Sequence, residues 1–258
     1  MTTVFDTMGT VVSLRIDEDG AGDQHADVVR AVRDRFTAFD LEFSRYRPDS
    51  PASAIAAGRL LLTRASAEHR SWYAEAVRWR NETDGAFDPH RRDGTVDLAG
   101  IVKAAAIESA GTVLDDAALG RWCCNAGGDV LTRGGTADRP WTVGISHPDD
   151  PRRLLTTVAL AGARRAVATS GTSQRGEHVW RTDTAGAYRQ VTVVADDIVT
   201  ADVLATAVLA GGPATLYRAV DRWRVDVIAV TTTGDLVEAG ATRASRQIPV
   251  VPRSAPSP

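Results

Sequence analysis

Residues 121–134 read RWCCNAGGDVLTRG. Two strand-like runs flank a glycine pair here, and helical spacing gives way to short β-rich runs. Upstream, Val11–Ile16 alternates like a strand, and apolar residues from Ala26 to about Tyr46 recur at helical spacing. The segment FSRYRPDSPAS reads as a turn-rich loop, Ala67–Glu82 as an amphipathic helix ended by TDGAFDP, and about Ile101 to Thr112 as another helix. Downstream, WTVGISH, LLTTVALAG, RRAVATSG and QVTVVAD are short β-rich runs separated by Gly, Pro and Asp. IVTADVLATAVL (198–209) then reads as a buried helix closed by Gly211-Gly212, followed by a helix from Ala214 to about Trp223 and a strand pair in VDVIAVTTTGDLVEA. The pattern predicts one α+β domain of two intimately packed lobes over residues 1–250, with a Pro/Ser-rich tail at 251–258.

The 258 residues are 43% hydrophobic, enough for a sizeable core. A net charge of −3 and the lack of a Lys/Arg run argue against nucleic acid or anionic lipid as the partner and favour a small molecule. The start MTTVFDTMGT lacks signal-peptide features and no apolar run approaches 18 residues, so the expectation is a cytoplasmic protein without membrane insertion. Cys123 and Cys124 are adjacent, poor geometry for a mutual disulfide and without zinc-ligand spacing. Lys103 is the only lysine among 30 Lys and Arg residues, in a chain whose arginine richness otherwise reads as compositional drift.

Polar residues flanked by glycine cluster at TMGT (7–10), TDGAFDP (83–89), VDLAGIVK (96–103), NAGGDV (125–130) and ATSGTSQRGEH (168–178). Ordinary turn chemistry accounts for any one of them; five in one chain point to a site. Paired glycines in NAGGDV let backbone N–H groups approach a ligand, although neither a Walker loop nor a dinucleotide fingerprint is present. Asp202 and Thr206, four apart on a helix, place a carboxylate and a hydroxyl one turn apart, a donor pair suited to Mg²⁺. The alternative is an Asp favoured by the helix dipole and a Thr bonding its own turn. Of five histidines, His178 is the catalytic candidate, because it ends a Gly/Ser/Thr-rich loop and titrates near neutrality; His25, His69, His90 and His147 read as exposed helix or turn residues.

Taken in order, Met8-Gly9-Thr10, FSRYRPDS, TDGAFDP, DLAGIVKA, NAGGDV, VATSG followed by EH, and ADVLAT resemble the motifs of the ApbE family, Mg²⁺-dependent FAD:protein FMN transferases. The resemblance spans about residues 4–212. It implies a single domain of two packed α/β lobes with mainly antiparallel sheets, similar to the T-fold, binding FAD between the lobes. Contacts to FAD are implied at Met8, Tyr46, Ala86, Phe87, Asp88, Asp97, Lys103 and Trp180. Mg²⁺ is implied on Asp202, Thr206 and the Gly100 carbonyl, and His178 is implied as general base. The implied reaction moves FMN from FAD to a Thr or Ser hydroxyl in a motif of an acceptor protein, releasing AMP.

Departures from the family pattern are local. After His178 the chain reads HVWRTDTAG, so Arg181 stands where an aspartate is usual; Ala104 follows Lys103 in place of glycine, and the turn after Asp88-Pro89 is short. A Mg²⁺-dependent FAD pyrophosphatase yielding FMN and AMP, or a flavin-binding module without turnover, stand as alternatives.

Overall fold

Eight strands pair edge to edge, every neighbour antiparallel, into one sheet in the computed structural model, which describes residues 1–17, 22–171 and 187–240. Strands β1 (Thr2–Thr7) and β2 (Thr10–Ile16) form a hairpin, followed by helices α1 (Gly22–Phe43), α2 (Pro51–Ala56), α3 (Ala67–Glu82) and α4 (Ala99–Asp116). Then come β3 (Trp122–Ala126), β4 (Asp129–Arg133), β5 (Trp141–His147), β6 (Asp150–Leu160), β7 (Ala166–Gly171) and β8 (Tyr188–Ala195). Helix α5 (Ile198–Arg222) leads into β9 (Asp226–Thr231) and β10 (Leu236–Ala239). The sheet order is β1-β2-β3-β4-β7-β8-β9-β10, with β5 and β6 set aside as a two-stranded sheet. This is the expected α+β class with mainly antiparallel strands.

Period-two alternation decides which face each strand buries. In β2, Val12, Leu14 and Ile16 point into the main core. The central strands are covered on both faces and therefore lose the polar alternation. Ala166, Ala168, Val191, Val193, Val227 and Ala229 face the helical layer, whereas Val167, Val194 and Ile228 meet Trp141, Ile145, Val158 and Leu160 of the β5–β6 hairpin. Three layers result: helices, sheet and hairpin. Cys123 and Cys124 are both free, and they divide between the layers, Cys124 in the main core and Cys123 against the hairpin cluster.

Close approach sets α4 on the sheet. A Cβ on Gly111 would lie 2.9 Å from Leu131 and 3.1 Å from Trp122, so glycine lets the helix ride directly on β3 and β4. Helix α5 breaks where expected, because Gly212 takes φ 67° and Pro213 follows it. It is also, among the described residues, the one helix long and apolar enough to cross a membrane; Asp202 and the Gly-Pro break hide that run in the sequence, and most of the helix is buried in the core.

Two elements differ from expectation. β1 is an edge strand with no fully buried side chain, its alternation running only between exposed and half-buried positions. α2 begins inside the segment read as loop and runs past its end: Ser50 caps it by accepting from the Ser53 amide at 3.0 Å, and Pro51 opens its first turn. His25 and His69, read as exposed, are buried. His69 stacks on Phe43, its ring centroid 4.8 Å away, and its Nδ1 lies 3.1 Å from Glu42.

Candidate active site

Register brings the glycine motifs to one end of the sheet. Thr7 faces Thr10 and Ala126 faces Asp129, so the chain reverses through two-residue turns at Met8-Gly9 and Gly127-Gly128. All four residues have positive φ, 49°, 68°, 62° and 96°, the conformation that two-residue hairpins demand. Val12 opposite Ala126 places the two turns side by side. Gly127 packs so tightly that a Cβ would lie on the Thr10 hydroxyl. Met8 is the non-glycine among the four, and its side chain packs against the main core.

Asp129, the residue after Gly127-Gly128, has no exposure to solvent. One carboxylate oxygen accepts the Thr169 amide at 3.1 Å and the other is ion-paired with the Lys103 ammonium. Lys103 therefore reaches the sheet at the NAGGDV turn, not open solvent. Beside this pair, the Thr169 and Thr192 hydroxyls lie 2.8 Å apart and the Ser170 and Thr206 hydroxyls 3.0 Å apart. The chain leaves β7 at Gly171 and is described again from Ala187; His178 and Trp180 fall outside the described residues.

Asp202 is 5% exposed and one helical turn from Thr206. The cap of α5 is Asp197, whose carboxylate accepts the Thr200 amide at 2.7 Å, so Asp202 sits beyond the capping position. Among the described residues no three His, Cys, Asp or Glu side chains converge to hold a metal. A single buried carboxylate with a neighbouring hydroxyl instead fits Mg²⁺, which takes few protein oxygens and retains water or phosphate for the rest of its shell. Gly100, the third expected ligand through its carbonyl, lies in the first turn of α4, and α4 packs on α5.

The TDGAFDP turn wedges between those two helices. Thr83 accepts the Phe87 amide at 3.1 Å, and Asp84 and Gly85 both adopt positive φ. Phe87 is 3% exposed, its ring 3.0 Å from where a Gly100 Cβ would sit, so this side chain belongs to the core. The Ala86 methyl stands 3.1 Å from the equivalent point on Gly211, beside the α5 break. Asp88 accepts from Arg80 Nε at 3.0 Å and from the His90 amide at 2.9 Å. Burial works to raise the Asp88 carboxyl, and the His90 amide, the Arg80 guanidinium and the His90 ring together hold it below the ordinary carboxylate range.

Asp97 accepts from Arg91 Nε at 2.8 Å, lies 3.6 Å from Arg45, and accepts the Ala99 amide at 3.0 Å, which ties the start of α4 to the preceding turn. Tyr46 is 87% exposed. The structure thus gathers Met8, Lys103, Asp202 and Thr206 around one sheet end and α5, and Ala86, Phe87, Asp88, Asp97 and Gly100 around the start of α4. Sequence reasoning missed Asp129 and His90. The first was legible as the carboxylate that follows the glycine pair of NAGGDV; burial of its partner was not.

Fold and site together define a mainly antiparallel α+β protein with an oxygen donor set between its helices and one end of its sheet. The profile of the ApbE family matches residues 8–94 and 90–230, and the chain belongs to the ApbE family. No curated protein matches the sequence. Solved structures are similar along nearly the whole chain. The ApbE protein of Thermotoga maritima superposes with a TM-score of 0.76 at 19% identity, covering 93% of this chain and 96% of that one. The flavin transferase ApbE of Vibrio cholerae gives 0.74 at 19%, covering 94% and 97%. The apo flavinyl transferase ApbE of Pseudomonas stutzeri gives 0.77 at 20%, covering 94% of each. At these identities the likeness is one of fold.

Proposed function

We propose that this chain is a flavin transferase that moves the FMN half of FAD to a Thr or Ser hydroxyl of an acceptor protein, with Mg²⁺ and release of AMP. The observation that carries the reading is the buried Asp202 carboxylate one turn from Thr206, beside the end of the sheet that bears both glycine turns. Membership of the ApbE family and the flavin transferases among similar structures support it.

In the balanced step, the acceptor hydroxyl oxygen attacks the phosphorus of the FMN moiety and the bond to the bridging oxygen of the diphosphate breaks. AMP carries that oxygen away, and the hydroxyl proton passes to a base, the role assigned to His178. Mg²⁺ on Asp202, Thr206 and the Gly100 carbonyl would supply charge neutralisation on the diphosphate. The exposed Tyr46 would orient the flavin nucleotide, together with Met8, the Ala86–Asp88 turn, Asp97, Lys103 and Trp180, whereas the Gly127 and Gly128 amides are taken up by the Val11 carbonyl and the Asn125 side chain.

Incubation with FAD and Mg²⁺, with and without an acceptor protein, tests this. Covalent flavin fluorescence on the acceptor, lost in His178→Ala, is the expected result. Free FMN accumulating at an undiminished rate without acceptor would instead make the protein a FAD pyrophosphatase.

A further inference from the structure

A chain of polar contacts lies behind the turn expected to meet the flavin. Tyr73 and Arg80 stand two helical turns apart on α3 and so share a face. Between them, the His90 ring is held at both nitrogens. Its Nε2 lies 3.0 Å from the Tyr73 hydroxyl and its Nδ1 3.0 Å from Asp88 Oδ1, while Arg80 Nε donates to the other Asp88 oxygen at 3.0 Å. The Tyr73 ring meets the imidazole edge-on, centroids 5.8 Å apart.

Donor and acceptor roles follow from chemistry. An ionised carboxylate only accepts, so Nδ1 carries the proton; in the neutral ring Nε2 is then an acceptor and Tyr73 donates to it. The contact between the two rings fixes the imidazole plane, and His90 bridges to Val96 through its backbone, which ties Asp88 to the loop carrying Asp97. The chain reads Tyr73 O–H to His90 Nε2, His90 Nδ1–H to Asp88, with Arg80 closing the far side.

We propose that His90 is a positioning residue for flavin binding, which fixes the Asp88 carboxylate through Nδ1–H and is itself fixed by Tyr73, so that the Ala86–Asp88 turn is preset before FAD arrives. This rests on the flavin transferase reading. His90 does not touch the reacting atoms; it acts through Asp88. A turn held in its bound geometry before binding spares the ligand an ordering cost, so the effect falls on affinity more than on the chemical step.

The test compares His90→Ala, His90→Asn and Tyr73→Phe for FAD affinity, KM, kcat and melting temperature. Asparagine places an amide N–H near the Nδ1 position and keeps the link to Asp88. His90→Ala should weaken FAD binding by about tenfold or more with kcat little changed, and His90→Asn should recover most of the loss. Equal loss in the Ala and Asn variants, or no loss in either, overturns the proposal. Imidazole ¹⁵N shifts, with His90 assigned by its absence in His90→Asn, give a readout independent of activity. A proton on Nδ1 supports the link, and an Nδ1 that carries none refutes it. Wild-type protein that fails to bind FAD at all would overturn the flavin reading and with it the purpose given to His90, an outcome distinct from normal binding that the variants leave untouched.

Discussion

Lys103 on α4 and Asp129 at the start of β4 form an ion pair almost wholly out of water. A buried pair is costly to break, because the partner left behind is an uncompensated charge. Lys103→Met or Asp129→Asn alone should each lower stability by about 3–5 kcal/mol, and the double variant should cost less than the two summed, as a urea-unfolding cycle would show. Lys103→Arg keeps the charge but must fit a wide planar head into a packed core, at about 1–3 kcal/mol. It should also weaken FAD use; unaltered turnover and unfolding midpoint would return the lone lysine to compositional drift.

Asp202 and Thr206 supply the metal donors in the proposed mechanism. Asp202→Asn and Thr206→Val should each weaken Mg²⁺ binding by at least about tenfold, measured by calorimetric titration of the FAD complex, whereas Thr206→Ser should stay near wild type. Mg²⁺ affinity that survives Asp202→Asn moves the metal elsewhere.

Gly127 and Gly58 have nearly the same φ, 62° and 68°, but only the first is crowded; nothing lies within 4 Å of a Cβ on Gly58. Gly58→Ala should therefore cost only the left-handed backbone penalty of about 1 kcal/mol. Gly127→Ala adds the collision with Thr10 and should cost clearly more, about 2–3 kcal/mol in all. Thr10→Ala in the same protein should recover the excess and leave the backbone part.

His69 is 1% exposed, and burial pulls its pKa below the ordinary value of 6.5 while Glu42 pulls it back in part. Because the folded pKa is the lower one, the unfolded chain takes up the proton first as pH falls. Stability is then fully present above about pH 6.5 and declines below it, ahead of the more acidic window in which Glu75, Asp88 and Asp93, all held low, become protonated. His69→Gln should flatten the limb between about pH 7 and pH 5 in chemical-denaturation midpoints. An unchanged slope there would assign the limb to other groups.

Local signals made some elements legible and not others. Helix α3 begins and ends where the sequence says, because Ser66 caps it and the Asp84-Gly85 turn cannot continue it. The α5 break was visible in Gly-Gly-Pro for the same reason. Edge strand β1 owes its existence to pairing with β2, which no local pattern encodes, and α2 was obscured by the turn residues around it. Site residues behaved alike: Asp202 and Thr206 share a helix, so spacing alone relates them. Asp129 to Lys103 and His90 to Tyr73 are links across separate elements, which only folding brings within reach.

The neighbouring thiols of β3 give the molecule an internal clock. Burial pushes Cys123 up to about 11 and Cys124 up to about 12, so neither is a nucleophile at neutral pH while its layer is closed. One sits beneath the β5–β6 hairpin and the other beneath the helices. The rates at which an alkylating reagent captures them therefore date two separate openings. Cys123 is half-buried and Cys124 fully buried, so a Cys123 capture rate that rises in mild denaturant while Cys124 stays protected means that the hairpin peels away while the helical layer holds, and simultaneous capture means that the sheet surrenders both faces at once.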